Sequence, residues 1–279
     1  MASLASITAV HMRRMFDRLE YRIAFCLFSA ACCASLVEEC INYGGFDSSV
    51  LPSAALGWIG HYVSNDISVL PICLFLFFPL LASVAYSDAL MVDAKSGAAR
   101  TLALRTTTRN YLLASCICSF VGAFLLFVVP LLMSQLLSFL LFPVEASSFG
   151  MKVSIYAMLD APIDVTGYVM SDLWISAPYL YNVLRALYVG IFAGAISMVT
   201  LAVSLYVSWR RIGVLGCTSL AYLVATLVLP EGLRPALFLL PNVYGTSPEL
   251  WVWIGCPFAL ILGALGFIWH AAQRRDVFL

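Results

Sequence analysis

Long apolar runs, separated by short polar segments, dominate this chain of 279 residues. A helix needs roughly 20 consecutive apolar residues to cross a membrane. Hydrophobic residues make up 62% of the chain and charged residues only 11%, whereas a soluble domain is about half apolar and a quarter charged. The sequence predicts an all-α, polytopic membrane protein that forms a single transmembrane domain over residues 1–279. Its six predicted spans are residues 21–38, 67–86, 111–141, 183–207, 213–229 and 251–270.

Two of the predicted spans have unusual features. The third contains Pro130 and, at about 1.5 Å per residue, is roughly 46 Å long, against a hydrocarbon core of about 30 Å. We expect it to be tilted, kinked at Pro130 or extended outside the membrane. The fourth carries Gly190 and Gly194 in a GxxxG arrangement, which lets two helices approach closely. That contact lies either within the chain, which we favour, or between subunits.

The distribution of Lys and Arg predicts the orientation. No Lys or Arg occurs between Arg22 and Lys95, and only Lys152, Arg185 and Arg234 fall outside the segments assigned to one side. Because cytoplasmic loops are enriched in Lys and Arg, we expect both termini to be cytoplasmic. Residues 143–182 would then form the longest external segment of a multi-pass protein in the cell membrane.

The first 20 residues predict a helix that lies at the membrane surface. Apolar side chains recur at i, i+3, i+4 and i+7, namely Met12, Met15, Phe16 and Leu19. The charged residues lie on the opposite side, namely Arg13, Arg14, Asp17 and Arg18. This pattern is typical of an interfacial amphipathic helix. A frayed, basic cytoplasmic tail is the alternative.

The segment 87–110, between the second and third spans, is the main polar stretch inside the apolar chain. Its charged residues are Asp88, Asp93, Lys95, Arg100, Arg105 and Arg109. Good helix formers at 89–94 and 98–104 flank Lys95-Ser96-Gly97, which predicts two short helices joined by a glycine turn. We expect them at the cytoplasmic membrane surface, available to a partner. An ordinary connecting loop is equally compatible with the composition.

The sequence lacks the motifs of several function classes. A phosphate-binding loop ends in Gly-Lys-Ser/Thr, but neither Lys95 nor Lys152 follows a glycine. The protease and hydrolase motifs His-Glu-x-x-His and Gly-x-Ser-x-Gly are absent. The spans carry no central ionisable residue of the kind that coupled carriers need. Glu38 and Glu39, at one span end, are either solvated or a cation site. We predict no enzyme, metal site or cofactor in this chain, and no nucleic-acid binding.

The second span and its polar continuation resemble the permease subunits of type-2 ABC exporters. The resemblance lies in FFPLLASVAYSDALMVDAKSGAARTLALRTTTRNYLLAS, which contains an acidic residue, a Lys-Ser-Gly turn and a later Arg-x-x-x-Arg pattern before Tyr111. In that family this stretch is the coupling element that docks on the ATPase. Asp93 stands where the family usually has Glu. The resemblance implies the docking residues Asp93, Lys95, Gly97, Arg100, Arg105 and Arg109.

The resemblance also implies partners and a pathway. A permease of this family works beside a second permease subunit, identical or homologous, and separate ATPase subunits that bind ATP and Mg. It would export an amphipathic cargo, such as a peptide or a drug-like molecule, across a prokaryotic cell membrane. The second and fifth spans would line the pathway through Phe75, Phe77, Phe78, Leu220 and Tyr222. The alternative is a membrane anchor or regulatory subunit that tethers a cytoplasmic partner without transport.

Overall fold

The computed structural model describes residues 3–45, 51–55, 58, 69–87, 89–96, 107–144, 169–207, 211–230, 233–239 and 249–273. Within these ranges the chain is helical and contains no strand. A π-helical turn, Cys73–Phe77, separates the third and fourth helices. The helices are α1 (Leu4–Asp17), α2 (Leu19–Asn42), α3 (Val69–Ile72), α4 (Phe78–Val84), α5 (Ala89–Ser96), α6 (Thr108–Leu141), α7 (Ser171–Ser176), α8 (Pro178–Tyr206), α9 (Arg211–Val228), α10 (Pro235–Leu239) and α11 (Leu250–Gln273).

Five helical segments of the described chain are long and apolar enough to cross a membrane. They are Leu19–Asn42, Val69–Asp93, Thr108–Leu141, Pro178–Tyr206 and Leu250–Gln273. The remaining predicted span, 213–229, coincides with a shorter apolar helix, Ile212–Val228. The chain is therefore a multi-pass membrane protein with five candidate spans in its described part.

The second candidate span is built from several pieces because of Pro79. Proline has no backbone N–H, so the carbonyl of Phe75 lacks its α-helical donor. The π-helical turn ends two residues before Pro79, and α4 then begins at Phe78. A π turn shifts the following side chains around the helix axis. Phe78 is thereby placed in the interior and is fully buried.

The helices α6 and α8 form the central pair of the bundle. α6 continues through Pro130 without a break and is about 51 Å long at 1.5 Å per residue. A Cβ atom added at Gly190 would clash with Val128, and one at Gly194 would clash with the ring of Phe120. The GxxxG contact therefore lies within the chain, between α8 and α6, as we favoured.

Aromatic side chains fill the centre of the protein around Phe78. Its ring centroid lies 4.8 Å from that of Phe127 on α6, 5.8 Å from that of Phe192 on α8 and 6.0 Å from that of Tyr222 on α9. Offset and tilted ring pairs at these separations add to the free energy gained by apolar burial. These contacts join four helices in one core.

At the opposite end of α6 from α1, polar side chains hold residues 51–55 against the bundle. The amide of Gln135 donates to the carbonyl of Ala54 at 3.0 Å. The amide of Asn182 donates to the carbonyl of Ala55 at 2.9 Å and to Oε1 of Gln135 at 2.6 Å. All these groups are buried. Their hydrogen bonds therefore replace those that water would otherwise provide.

Glu38, one of the two acidic residues predicted at a span end, accepts a hydrogen bond from another helix. Its Oε2 accepts from the backbone N–H of Val69 at 3.2 Å, and the hydroxyl of Ser35 accepts from the N–H of Leu70 at 2.8 Å. Helix N-termini have free N–H groups that such oxygens satisfy. α2 thus caps the start of the second span, a role that we did not predict.

The N-terminal helix α1 packs along α6. It buries Ile7, His11 and Met15, and Met15 lies against Gly122 of α6. Phe16 and Leu19, part of the predicted apolar face, are exposed. The face in contact with the bundle is therefore rotated from the predicted one. It includes His11, a polar residue that we did not assign to this face.

Candidate functional site: the Asp93 cluster

Five side chains with polar groups meet where α1 contacts the second span, α5 and α6. We call this group the Asp93 cluster; it consists of His11, Arg14, Tyr86, Asp93 and Tyr111. It joins the described part of the segment that the sequence predicts to bind a partner to α1 and α6 through buried polar contacts. The geometry of the cluster determines which side chains of α5 are buried and which are exposed.

The carboxylate of Asp93 accepts hydrogen bonds from Tyr111 and Arg14. The hydroxyl of Tyr111 donates to Oδ2 at 2.7 Å. Nη1 of Arg14 donates to Oδ1 at 3.3 Å and to Oδ2 at 3.4 Å. Asp93 is only 4% exposed, whereas the Arg14 side chain is 44% exposed. A buried carboxylate needs such partners to remain charged. Asp93 therefore joins α5 to both α1 and α6.

His11 lies beside this pair and is fully buried. Its Nδ1 is 2.6 Å from the hydroxyl oxygen of Tyr86, and its Nε2 has no hydrogen-bond partner among the described residues. Burial lowers the pKa of His11 to about 4; nearby Asp93 opposes this shift, while Arg14 and Arg18 add to it. His11 is therefore neutral at neutral pH, and Arg14 is the cation that faces Asp93.

The inward position of Asp93 follows from the helical period of α5. Ala89 and Leu90 are buried, and Asp93 follows four and three residues later on the same face. Val92, on the other side, is exposed. Residues 89–94 are helical, as part of α5 (Ala89–Ser96), whereas their role as a coupling helix at the membrane surface remains a prediction. The second predicted helix, at 98–104, lies outside the described residues.

The other predicted docking residues are only partly within the described chain. Lys95 belongs to the last turn of α5, but its side chain lies outside the description, as do Gly97, Arg100 and Arg105. Arg109 is exposed on α6, and its guanidinium lies 4.1 Å from the ring centroid of Trp269. Asp93 and Arg109 therefore have different surroundings, one internal and one at the surface. The docking roles remain predictions.

The structure does not bring the predicted pathway residues onto one surface. Phe78 and Tyr222 face each other in the core. Phe77 and Leu220 are 49% and 62% exposed, and Phe75 is half-buried. The first two residues stabilise the packed interior, so only the last three are placed to face a pathway or a partner. Their proposed role also remains a prediction.

We did not predict His11 and Arg14 as members of the site. His11 and Tyr86 are 75 positions apart, and Arg14 and Asp93 are 79 apart. In the described part of the chain, no three His, Cys, Asp or Glu side chains are grouped so that they could hold a metal ion. The site thus consists of charge pairing and hydrogen bonds, which can fasten helices together.

Comparison with known proteins adds no relative. No family model matches the chain, and neither a curated protein nor a solved structure matches it. The class of protein defined by the fold is a multi-pass helical membrane protein.

Proposed function

We propose that this chain is the membrane-spanning permease subunit of an ATP-driven ABC exporter in a prokaryotic cell membrane. It would work with a second permease subunit and with separate ATPase subunits that bind ATP and Mg. Its cargo would be an amphipathic molecule, such as a peptide or a drug-like compound. Both termini would be cytoplasmic, with α1 at the membrane surface.

The attachment of α5 by Asp93 is the observation that carries this proposal. α5 continues from the second span, and Asp93 connects it to Arg14 of α1 and to Tyr111 of α6. A partner that displaces α5 would therefore move three membrane-associated elements together. Coupling of a motor to a transporter needs a stiff connection of this kind, since force is lost in a slack loop.

The buried position of Asp93 suggests a division of roles within the coupling segment. Asp93 would fasten the segment to the bundle, while Lys95, Gly97, Arg100 and Arg105 would form the surface that meets the ATPase. This differs from a simple salt bridge between Asp93 and the motor, because its carboxylate already has two partners in the chain. The exposed residue Val92 marks the outward face of α5.

The proposal requires α9 to be a sixth span. Five spans would place the two termini on opposite sides, against the predicted orientation from Lys and Arg. α9 has 18 residues and is about 27 Å long, close to the hydrocarbon thickness of about 30 Å. The contact of its buried residue Tyr222 with Phe78 supports a position of α9 beside the core.

Affinity purification followed by an ATPase assay tests the proposal. The tagged wild-type chain should co-purify with a subunit that hydrolyses ATP. The double variant Arg100→Glu, Arg105→Glu should lose that subunit, because its docking charges are reversed. Arg13→Glu, at an exposed position on α1, is the matched control and should retain it.

A third variant separates docking from coupling. Asp93→Asn should keep the ATPase subunit but weaken the effect of cargo on its rate of ATP hydrolysis. If the wild-type chain purifies alone, or with a partner that does not hydrolyse ATP, the transport proposal is wrong. The chain would then fit the anchor or regulatory subunit considered above.

A further inference from the structure

An apolar groove of about 450 Å³ runs between the start of α6 and the end of α11. This volume is within the usual range of small-molecule sites, about 300–1,000 Å³. Its apolar lining includes Leu112, Leu113, Leu265, Ile268 and Ala272. Arg109 and Trp269 also line it. The groove thus has an aliphatic lining with one cation, Arg109, and one aromatic residue, Trp269.

Arg109 is arranged to receive an anion. Its guanidinium is stacked over Trp269, and it forms no salt bridge with a described carboxylate. Stacking uses the face of the guanidinium plane and leaves the N–H groups at its edges available for hydrogen bonds. Two such parallel N–H groups match the oxygen atoms of a phosphate. Among the described residues, no carboxylate occupies this edge of the cation.

Gly266 keeps the groove open. A Cβ atom added there would meet no other atom within 4 Å. Glycine is unfavourable inside a helix by up to about 1 kcal/mol relative to alanine, and no close helix contact at Gly266 accounts for it. Its effect on the surface is to leave room beside Trp269 and Leu265.

The position of the groove favours a lipid as its occupant. Both α6 and α11 are candidate spans, so a groove between them would face the lipids of the membrane. α6, about 51 Å long, exceeds the hydrocarbon core, and Arg109 at its beginning belongs to the interfacial zone. Trp and Arg are typical of this zone, where anionic phosphate groups of lipids lie.

We propose that this groove binds an anionic phospholipid, with the phosphate on Arg109 and an acyl chain along Gly266. A protein partner fits less well, because Arg109 is the only charged residue among the described residues of the lining. The proposal does not depend on the transport function, since any multi-pass protein in an anionic leaflet meets such lipids.

Native mass spectrometry of the full chain tests the proposal. The detergent-purified protein is mixed with equal amounts of phosphatidylglycerol and phosphatidylethanolamine that carry identical acyl chains. Wild type should retain phosphatidylglycerol about fivefold more than phosphatidylethanolamine, the preference typical of one surface cation near anionic lipid.

Two variants separate the headgroup contact from the groove. Arg109→Gln should retain both lipids equally, because the charge is removed and the groove is kept. Gly266→Leu should retain less of both, because its side chain fills the groove without a clash. The matched controls are Arg13→Gln, an exposed cation on α1, and Gly255→Leu, another open glycine on α11. Both controls should behave like wild type.

The proposal is overturned if wild type shows no headgroup preference, or if Arg109→Gln keeps it. It is also overturned if Gly266→Leu retains lipid like wild type. Should Gly266→Leu instead release a co-purified protein without any change in lipid, the groove is a protein contact. Loss of an ATPase subunit in the Arg100→Glu, Arg105→Glu variant is a separate readout and does not bear on the groove.

Discussion

The hydroxyl oxygen of Tyr111 lies 2.7 Å from a carboxylate oxygen of Asp93, and this contact joins α5 to α6 inside the protein. Both residues are buried. A hydrogen bond to a buried charge contributes more than one between neutral groups. The same carboxylate also pairs with Arg14, whose side chain is partly exposed. Tyr111 and Arg14 should therefore differ in their effect on stability.

Tyr111→Phe should lower the free energy of unfolding by about 2 kcal/mol, because a buried carboxylate loses a donor. Arg14→Gln should lower it by less than about 1 kcal/mol, because water screens a partly exposed cation. Unfolding in mixed micelles with increasing denaturing detergent measures both. Arg13→Gln, at an exposed position on α1, is the control. An equal or larger loss in Arg14→Gln would contradict this account.

Because the imidazole of His11 is buried when α1 packs on α6, we expect α1 to detach from α6 more readily at low pH. The pKa of His11 is lowered to about 4 by burial, whereas an exposed histidine has a pKa of about 6.5. The neutral form fits the docked helix, so docking is fully favoured above pH 6.5. Docking weakens as the pH falls from about 6.5 towards 4. In this range His11 is protonated in the released helix but stays neutral in the docked helix, so protonation favours release.

The rate at which Cys118 reacts with a thiol reagent measures this release of α1. It is fully buried, and its sulfur lies 3.5 Å and 3.8 Å from the sulfur atoms of Met12 and Met15. A dithiopyridine reagent, which reacts at acidic pH, should label Cys118 severalfold faster at pH 4.5 than at pH 7. The exposed Cys217 serves as the internal reference. His11→Asn should remove most of the pH dependence. If the labelling ratio in wild type does not change with pH, His11 does not control docking.

Apolar run length was sufficient to predict most of the helices. The predicted spans 21–38, 111–141, 183–207 and 251–270 each correspond to a helix that extends further at one or both ends. The extensions contain mixed polar and aromatic residues, such as Tyr179 and Tyr181, which a hydropathy pattern excludes. The helix continues through them because backbone hydrogen bonds propagate once it has begun.

The Asp93 cluster could not be predicted in the same way. The polar segment was expected to present its charges to a partner, yet Asp93 points inward. The reason is tertiary: Tyr111 and Arg14 provide donors that make burial of a carboxylate acceptable. Local sequence contains the donor residues but not their pairing across the fold. The same applies to Glu38, which caps a helix that begins 31 positions later.

Gly190 should not tolerate even one added methyl group. The Cβ atom of alanine would clash with Val128, whose branched side chain has little freedom to move. We expect Gly190→Ala to lower the free energy of unfolding by about 1–3 kcal/mol. Gly255→Ala, at an open position on α11, is the matched control and should be neutral or slightly stabilising. Equal stability of the two variants would mean that α6 and α8 are not closely packed.

Asn182 should hold residues 51–55 against the bundle. Asn182→Ala removes the donor to Ala55 and to Gln135, which leaves two buried oxygen atoms unsatisfied at a cost of about 1–3 kcal/mol each. Because this segment is fastened mainly by side chains, we expect it to open locally rather than the whole protein to unfold. Hydrogen exchange measured by mass spectrometry should show at least roughly tenfold faster exchange in the peptide around residues 51–55. Exchange in α11 should not change.

The control is Ser176→Ala, which removes an exposed hydrogen bond to the carbonyl of Asp172. It should leave exchange in both regions unaffected. Faster exchange throughout the chain would show instead that Asn182 stabilises the global fold.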